Sequence, residues 1–320
     1  MSAGGNSAPS STGRVLIIKL GALGDFIQAL GPMQAIRRHH RRAHLALLTT
    51  PQFAEFAQST GLFDEIETIG RPAWWRIDLL TRLFGWLNGR DFDRVYDLQT
   101  SGRSAFIFEL FMPNRRPDWS GIARGCTLPH KNPGRDRMHT IDRQREQLQM
   151  AGIGDVADAD FSFLKGDIAR LNPPGRFVLL VPGGSPARPA KRWPARSYAA
   201  LARDLKGRGI VPVVLGDRSE IALADEIARA GQGVNLAGQT TLSDVADLAR
   251  RAAGAVGNDT GPLHIVAGVG CPALALFSAE SDPALCAPRA PKGAQPVIVL
   301  RRDNLADLGV AEVAALMPLR

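Results

Sequence analysis

Val256-Gly-Asn-Asp-Thr-Gly-Pro-Leu-His-Ile-Val-Ala-Gly-Val-Gly270 joins a short apolar strand to a helix through a polar turn. Ala255 and Val256 form the strand end. The helix begins near Pro262, where a missing N–H costs nothing because first-turn amides lack partners anyway. Gly261 lets backbone amides approach a ligand with no side chain in the way. Those amides, at the positive end of the helix dipole, suit a phosphate. Asp259 would repel a phosphate but can accept hydrogen bonds from sugar hydroxyls. His264, on the first turn, can donate to a phosphate oxygen. The junction reads as a clamp for a sugar phosphate or nucleotide sugar. The same residues also read as an ordinary strand–turn–helix junction with Asp259 or Thr260 as N-cap.

Working outward, strands and helices alternate on both sides of this stretch. Residues 177–181 (Phe-Val-Leu-Leu-Val) form a buried strand that ends in Pro182-Gly-Gly-Ser185. A helix from Pro194 or Ser197 to Lys206 follows, then a strand over 211–215 ending in Gly216-Asp217, and a helix reaching Ala230. Thr240 or Thr241 opens a helix over 242–253, residues 271–277 form a further strand, and a helix over 305–317 closes the chain. In the first half, 14–19 is a buried parallel strand, apolar and β-branched. A glycine-bearing turn over 20–25 leads into a helix over 26–38, with apolar residues at Phe26, Ile27, Leu30, Met33 and Ile36. Strands over 45–49 and 95–98 and helices over 53–58, from about Ser104, and over 140–150 complete the pattern. Residues 111–145, rich in Arg, Pro and Gly before that last helix, read as long loops, which in a compact domain are commonly functional. This alternation predicts an α/β fold with parallel sheets. Two halves of about 150 residues, the ordinary domain size, would face each other across a cleft, with ligands beyond the carboxyl ends of strands. The expected division is a tail over 1–13, a domain over 14–170, a second over 176–303, and the closing helix within 304–320.

Composition narrows the function. The 320 residues are 45% apolar, enough for two cores, and no run of eighteen apolar residues exists to span a membrane. Residues 1–13 are small and polar, which predicts a disordered tail and not a signal peptide. Three scattered cysteines (Cys126, Cys271, Cys286) lack metal-ligand spacing and leave one unpaired, predicting a reduced cytoplasmic protein with no metal site. A net charge of +8 and a pI near 10.0 point to acidic partners. Aromatics are only 6% of residues and do not interleave with basic ones, so nucleic acid ranks below a phosphorylated small molecule or an anionic lipid surface. The cluster Arg37-Arg-His-His-Arg-Arg42 reads as a solvated helix end or a membrane-surface contact. Arg115, Arg116, Arg124, Lys131, Arg135 and Arg137 would suit an anionic acceptor.

Two other turns carry chemistry. Gly21-x-x-Gly24-Asp25 lacks the spacing of a dinucleotide fingerprint, and the second strand ends in Thr49-Thr50 where an acidic residue would hold a ribose. Asp25, at the strand-to-helix turn, can act as a general base on an acceptor hydroxyl, or serve as an N-cap. In Lys191-Arg-Trp-Pro194, Lys191 can neutralise a diphosphate leaving group while Trp193 packs beneath it.

Taken together these segments resemble glycosyltransferase family 9, the lipopolysaccharide heptosyltransferases. The matching stretches are Arg14-Val-Leu-Ile-Ile-Lys-Leu-Gly-Ala-Leu-Gly-Asp25, Asp97-Leu-Gln, Val181-Pro-Gly-Gly, Lys191-Arg-Trp-Pro194, Leu215-Gly-Asp and Gly257-Asn-Asp-Thr-Gly-Pro-Leu-His264. The resemblance implies a GT-B fold of two Rossmann-like domains, the second holding the donor. It implies inverting, metal-independent transfer of heptose from ADP-heptose to a lipid-linked, phosphorylated sugar, with no cofactor, at the inner face of the cytoplasmic membrane. The family's base falls on Asp25 and its diphosphate lysine on Lys191. Donor contacts fall on Ser185, Asp259, Thr260, Gly261 and His264, with Asp217 or Glu220 at the ribose and the adenine wall near Thr240. Acceptor contacts fall on Lys19, Arg103 and Arg124. Two departures stand out: the ribose acid has no clean match, and Thr240 takes the place of a methionine near adenine. The alternatives are a same-fold enzyme using another nucleotide sugar, and an inactive binding protein of envelope assembly.

Overall fold

The computed structural model describes residues 13–70 and 77–320. The expected tail over 1–13 lies outside them except for Gly13, whose carbonyl accepts from His44 N. The chain divides into two compact units. One holds the residues up to Ala22, Ala29–Asp136 and Ile141–Ala157; the other holds Leu23–Gln28, Arg137–Thr140 and Asp158–Arg320.

The first unit carries a six-stranded, wholly parallel sheet. In chain order its strands are β1 (Arg14–Ile18), β2 (His44–Thr49), β3 (Glu65–Thr68), β4 (Arg94–Asp97), β5 (Asp118–Gly121) and β6 (Leu128–Pro129), arranged 3-2-1-4-5-6. That is the doubly wound order, with its switch point between β1 and β4. Register is fixed by unbroken apolar runs: Val15 faces Leu45 and Ile17 faces Leu47, all buried. The first two helices of the chain are α1 (Leu23–Gln28), which belongs to the second unit, and α2 (Leu30–His39). The single helix expected over 26–38 is therefore split at Ala29. Pro32 explains the break, because inside one continuous helix its ring would clash with the Gln28 carbonyl four residues back. Helices α3 (Pro51–Ser59), α4 (Ile77–Asn88), α5 (Gly102–Glu109) and α6 (Thr140–Met150) complete the connections. The stretch expected as long loops before α6 instead adds β5 and β6 to the sheet. Trp119 on β5 is fully buried against Phe108 and Phe111, which anchors that edge.

The second unit repeats the plan. Its sheet contains β7 (Phe177–Val181), β8 (Val211–Val214), β9 (Val234–Asn235), β10 (Gly254–Asn258), β11 (Ala273–Phe277) and β12 (Ile298–Arg301), in the order 12-11-10-7-8-9. Read from β7, this is again the doubly wound order, and its switch point lies between β7 and β10. Helices α7 (Ala195–Gly207), α8 (Ile221–Ala230), α9 (Leu242–Arg251), α10 (Gly261–Gly268), α11 (Pro283–Cys286) and α12 (Val310–Leu316) cover the sheet. Thr241, not Thr240, caps α9, accepting from Asp244 N in a reciprocal capping box. The closing helix expected over 305–317 is a 3-10 turn (Leu305–Asp307) followed by α12, interrupted at Gly309 in extended conformation. Leu305, Val313 and Met317 share one core with Trp193, Tyr198 and Leu205, and Trp193 Nε1 donates to Leu308 O at 3.0 Å. The end of the chain is thus part of the second unit's interior. Among the described residues no helix is long and apolar enough to cross a membrane.

Candidate active site

The switch point of the second unit gathers the residues on which the sequence argument turns. β10 ends at Asn258, which is wholly buried and acts as a four-way tie. Its Oδ1 accepts from Trp193 N (3.0 Å) and Tyr198 Oη (3.1 Å), and its Nδ2 donates to Pro182 O (2.7 Å) and Gly183 O (3.1 Å). One amide thereby locks the loop after β7, the loop carrying Lys191, and α7 to the end of β10. A buried, fully bonded polar group of this kind fixes one arrangement of its neighbours. The local sequence signal of Asn258 is a polar residue closing an apolar strand.

Beyond Asn258, Lys191 Nζ donates to Asp259 Oδ2 at 2.6 Å, and Ser281 Oγ donates to the same oxygen at 2.8 Å. The Lys191 and Asp259 side chains are 14% and 9% exposed, so this is a largely buried ion pair. Thr260 occupies the N-cap position of α10 in extended conformation, yet neither it nor Asp259 caps the helix through a side chain. The Thr260 hydroxyl oxygen is buried without a hydrogen-bond partner. No side chain therefore caps the first turn of α10, whose backbone amides are of the kind an anion site uses.

Asp25 reaches the same neighbourhood because α1 packs on α10. The contact depends on two missing side chains. A Cβ at Gly261 would stand 2.6 Å from Leu23 Cγ and Cδ2, and one at Gly24 would stand 3.0 Å from His264 Nε2 and Cδ2. Gly261→Ala is expected to cost about 1–3 kcal/mol of stability, the usual penalty of overpacking, and to lower turnover because Asp25 rides on α1. Leu23→Ala added to Gly261→Ala reopens the space and should recover both; thermal unfolding and initial rates of the two variants check this.

His264 is 6% exposed. Burial pushes its imidazole down to about 4; Asp259 and Asp25 oppose that shift, while His139 and Lys191 reinforce it. It is neutral at pH 7 and packs against Gly24. In the unfolded chain the imidazole protonates below about 6.5, so between pH 6.5 and 4 the unfolded state binds more protons and stability is lost as the pH is lowered. His40, pushed to about 4 mainly by burial, acts with the same sign, and Asp97, pushed up to about 6 by burial, acts with the opposite one. The expected result is therefore a difference: His264→Gln loses less stability than the unaltered chain over this window, as read by urea midpoints.

His139 and Cys286 also line this neighbourhood. His139 Nε2 donates to Ala287 O at 3.0 Å. Burial, with Asp259 and Asp25 adding to it, pushes the Cys286 thiol up to about 12. Neither residue carries a local sequence signal.

The other sequence-derived residues are distributed as follows. Glu220 Oε1 accepts from Gly184 N and Oε2 from Asp217 N, both at 3.0 Å, bracing the loops after β7 and β8. A Cβ at Gly183 would meet Glu220 Oε1 at 2.3 Å, which accounts for the glycine. Asp217 accepts from Ser219 N and Oγ and caps its own turn. Ser185 is exposed beside this loop, and Thr240 lies half-buried just before α9. In the first unit, Lys19 is 3% exposed and donates to Leu98 O at 3.1 Å, bridging the ends of β1 and β4. Arg103, on the first turn of α5, donates to Gly70 O at 2.6 Å, and Arg124 is exposed in the turn between β5 and β6. Those three are not brought into one cluster, whereas Asp25, Lys191, Asp259, Thr260, Gly261 and His264 are.

Two sheets of doubly wound order in one chain are the plan of the GT-B fold, and solved structures of that fold match it. A glycosyl transferase family 9 protein from Veillonella parvula DSM 2008 matches with a TM-score of 0.73 at 19% identity, covering 91% of this chain and 86% of that one. E. coli heptosyltransferase WaaC with ADP matches with a TM-score of 0.71 at 20% identity, covering 94% and 98%. Family membership comes from sequence. The chain belongs to glycosyltransferase family 9 (heptosyltransferase), whose profile matches residues 80–301. Lipooligosaccharide heptosyltransferase 2 of Haemophilus ducreyi is 33% identical over 218 residues, 59% of this chain and 62% of its own length. The matched part of the chain spans between 30% and 62% of the length of the curated relatives.

Proposed function

We propose that the chain is an inverting, metal-independent heptosyltransferase that moves a heptose from ADP-heptose onto a lipid-linked, phosphorylated sugar of the lipopolysaccharide core. One observation carries the reading. Lys191 pairs with Asp259 just before α10, and α1, which carries Asp25, packs on α10, so a carboxylate base and a fixed cation share one neighbourhood at the start of α10. Family membership and the relatives' names support the heptosyl part of the reading.

In this mechanism Asp25 takes the proton of the acceptor hydroxyl as that oxygen attacks the anomeric carbon. The bond from that carbon to the diphosphate breaks, and ADP leaves with an added negative charge. Lys191 and the backbone amides at Thr260 and Gly261 are held where that charge develops, which is the largest class of catalytic contribution. Asp259 accepts from hydroxyls of the transferred sugar, with Asp217 or Glu220 at the ribose and Thr240 beside the base. Ser185 and His264 complete the donor contacts. Lys19, Arg103 and Arg124 serve the anionic acceptor, whose lipid would bring the basic chain to the inner membrane face.

The test is product analysis. With ADP-heptose and a phosphorylated core acceptor, the new glycosidic bond should have the anomeric configuration opposite to the donor's, by NMR coupling, with rates unchanged by EDTA. Retained configuration, or loss of activity with EDTA, contradicts the proposal.

A further inference from the structure

We infer that Ser281 is a positioning residue of the donor site, its hydroxyl sharing one oxygen of Asp259 with Lys191 and so keeping the lysine's charge available to a diphosphate. This rests on the donor reading proposed above. Ser281 lies between β11 and α11, far in sequence from the Gly257–His264 motif. Its loop is held on both sides: Ser278 Oγ accepts from Glu280 N (3.2 Å), and Asp282 caps α11 by accepting from Ala284 N (2.9 Å). The hydroxyl is thus delivered to Asp259 Oδ2 by a fixed turn, at 2.8 Å, beside the Lys191 Nζ contact at 2.6 Å.

The physical consequence follows from sharing. Asp259 has a side chain only 9% exposed, so water does little to satisfy its charge. A buried carboxylate with a single cationic partner draws that cation as closely as geometry allows. A second donor on the same oxygen takes up part of its accepting capacity. Lys191 then has protons to spare for phosphate oxygens. With the hydroxyl removed, the carboxylate turns wholly to Lys191, and the diphosphate must compete for it.

The experiment is a calorimetric titration of the full chain with ADP. Ser281→Ala should weaken ADP binding by about five- to tenfold, the net scale of one ordinary hydrogen bond, and raise the donor KM more than it lowers kcat. Ser281→Thr, which keeps the hydroxyl, should bind ADP as the unaltered chain does. In an Asp259→Asn chain no carboxylate claims Lys191, so adding Ser281→Ala should change ADP affinity less than about twofold. Unchanged or tighter ADP binding by Ser281→Ala overturns the inference, as does an equal loss in the Asp259→Asn chain. If the alanine variant does not fold, Ser281→Cys, similar in volume with a weak S–H donor, takes its place. Absence of ADP binding by the unaltered chain overturns the donor reading and this role together.

Discussion

Replacing Asp25 with alanine is expected to lower kcat by about a hundredfold or more, the usual scale for removing a general base, while leaving ADP affinity within about twofold. Asp25 is half-buried in the first turn of α1. A carboxylate at a helix start contributes about 0.3–1 kcal/mol there. A large fall in kcat with little change in unfolding would therefore report chemistry. Asp25→Asn should be equally slow, because the amide keeps the shape but cannot take a proton. Single-turnover rates and ADP titrations of both variants check this, and turnover near that of the unaltered chain would remove Asp25 from the mechanism.

Lys191→Ala should act on two quantities at once. Removing a cation aimed at the leaving diphosphate is expected to cost about 10²–10³ in kcat, by analogy with other preorganised charge-stabilising groups, and to weaken ADP binding. It also leaves Asp259 with Ser281 Oγ as its one remaining side-chain hydrogen-bond donor among the described residues. Breaking a buried pair from one side costs about 3–5 kcal/mol. The 14% exposure of Lys191 and the surviving hydroxyl argue for the lower end. The double variant Lys191→Ala with Asp259→Asn removes the orphaned charge and should regain most of the stability without regaining ADP affinity. Recovery of both would mean that Lys191 is only a structural partner of Asp259.

The parts of the fold that could be read in the sequence are those in which burial imposes a pattern. β7, as Phe-Val-Leu-Leu-Val, is covered on both faces, so its apolar run is continuous. β3, as Glu-Ile-Glu-Thr, looks polar because it is an edge strand; Glu65 there accepts from Trp86 Nε1 and pairs with Arg14 and Arg90. β6 is two residues long and ends in proline, too short for any period to register. Site residues were legible where a strand or a glycine turn announces them, as at Asp25, Lys191 and Asp259. What local sequence does not hold is which distant segments meet. The Lys191–Asp259 pair spans 68 positions, and Ser281 joins it from 22 positions further on. The seating of α1 on α10 is likewise set by Gly24 and Gly261, two glycines that each look like ordinary turn residues until their neighbours are known.

The most direct measurement is calorimetric titration of the full chain with ADP, UDP and GDP under one set of conditions. The account predicts that ADP binds at least about tenfold more tightly than the other two, a difference of about 1.4 kcal/mol, and that Lys191→Ala abolishes most of that affinity. Preference for UDP or GDP, or no binding of any of the three, would contradict it.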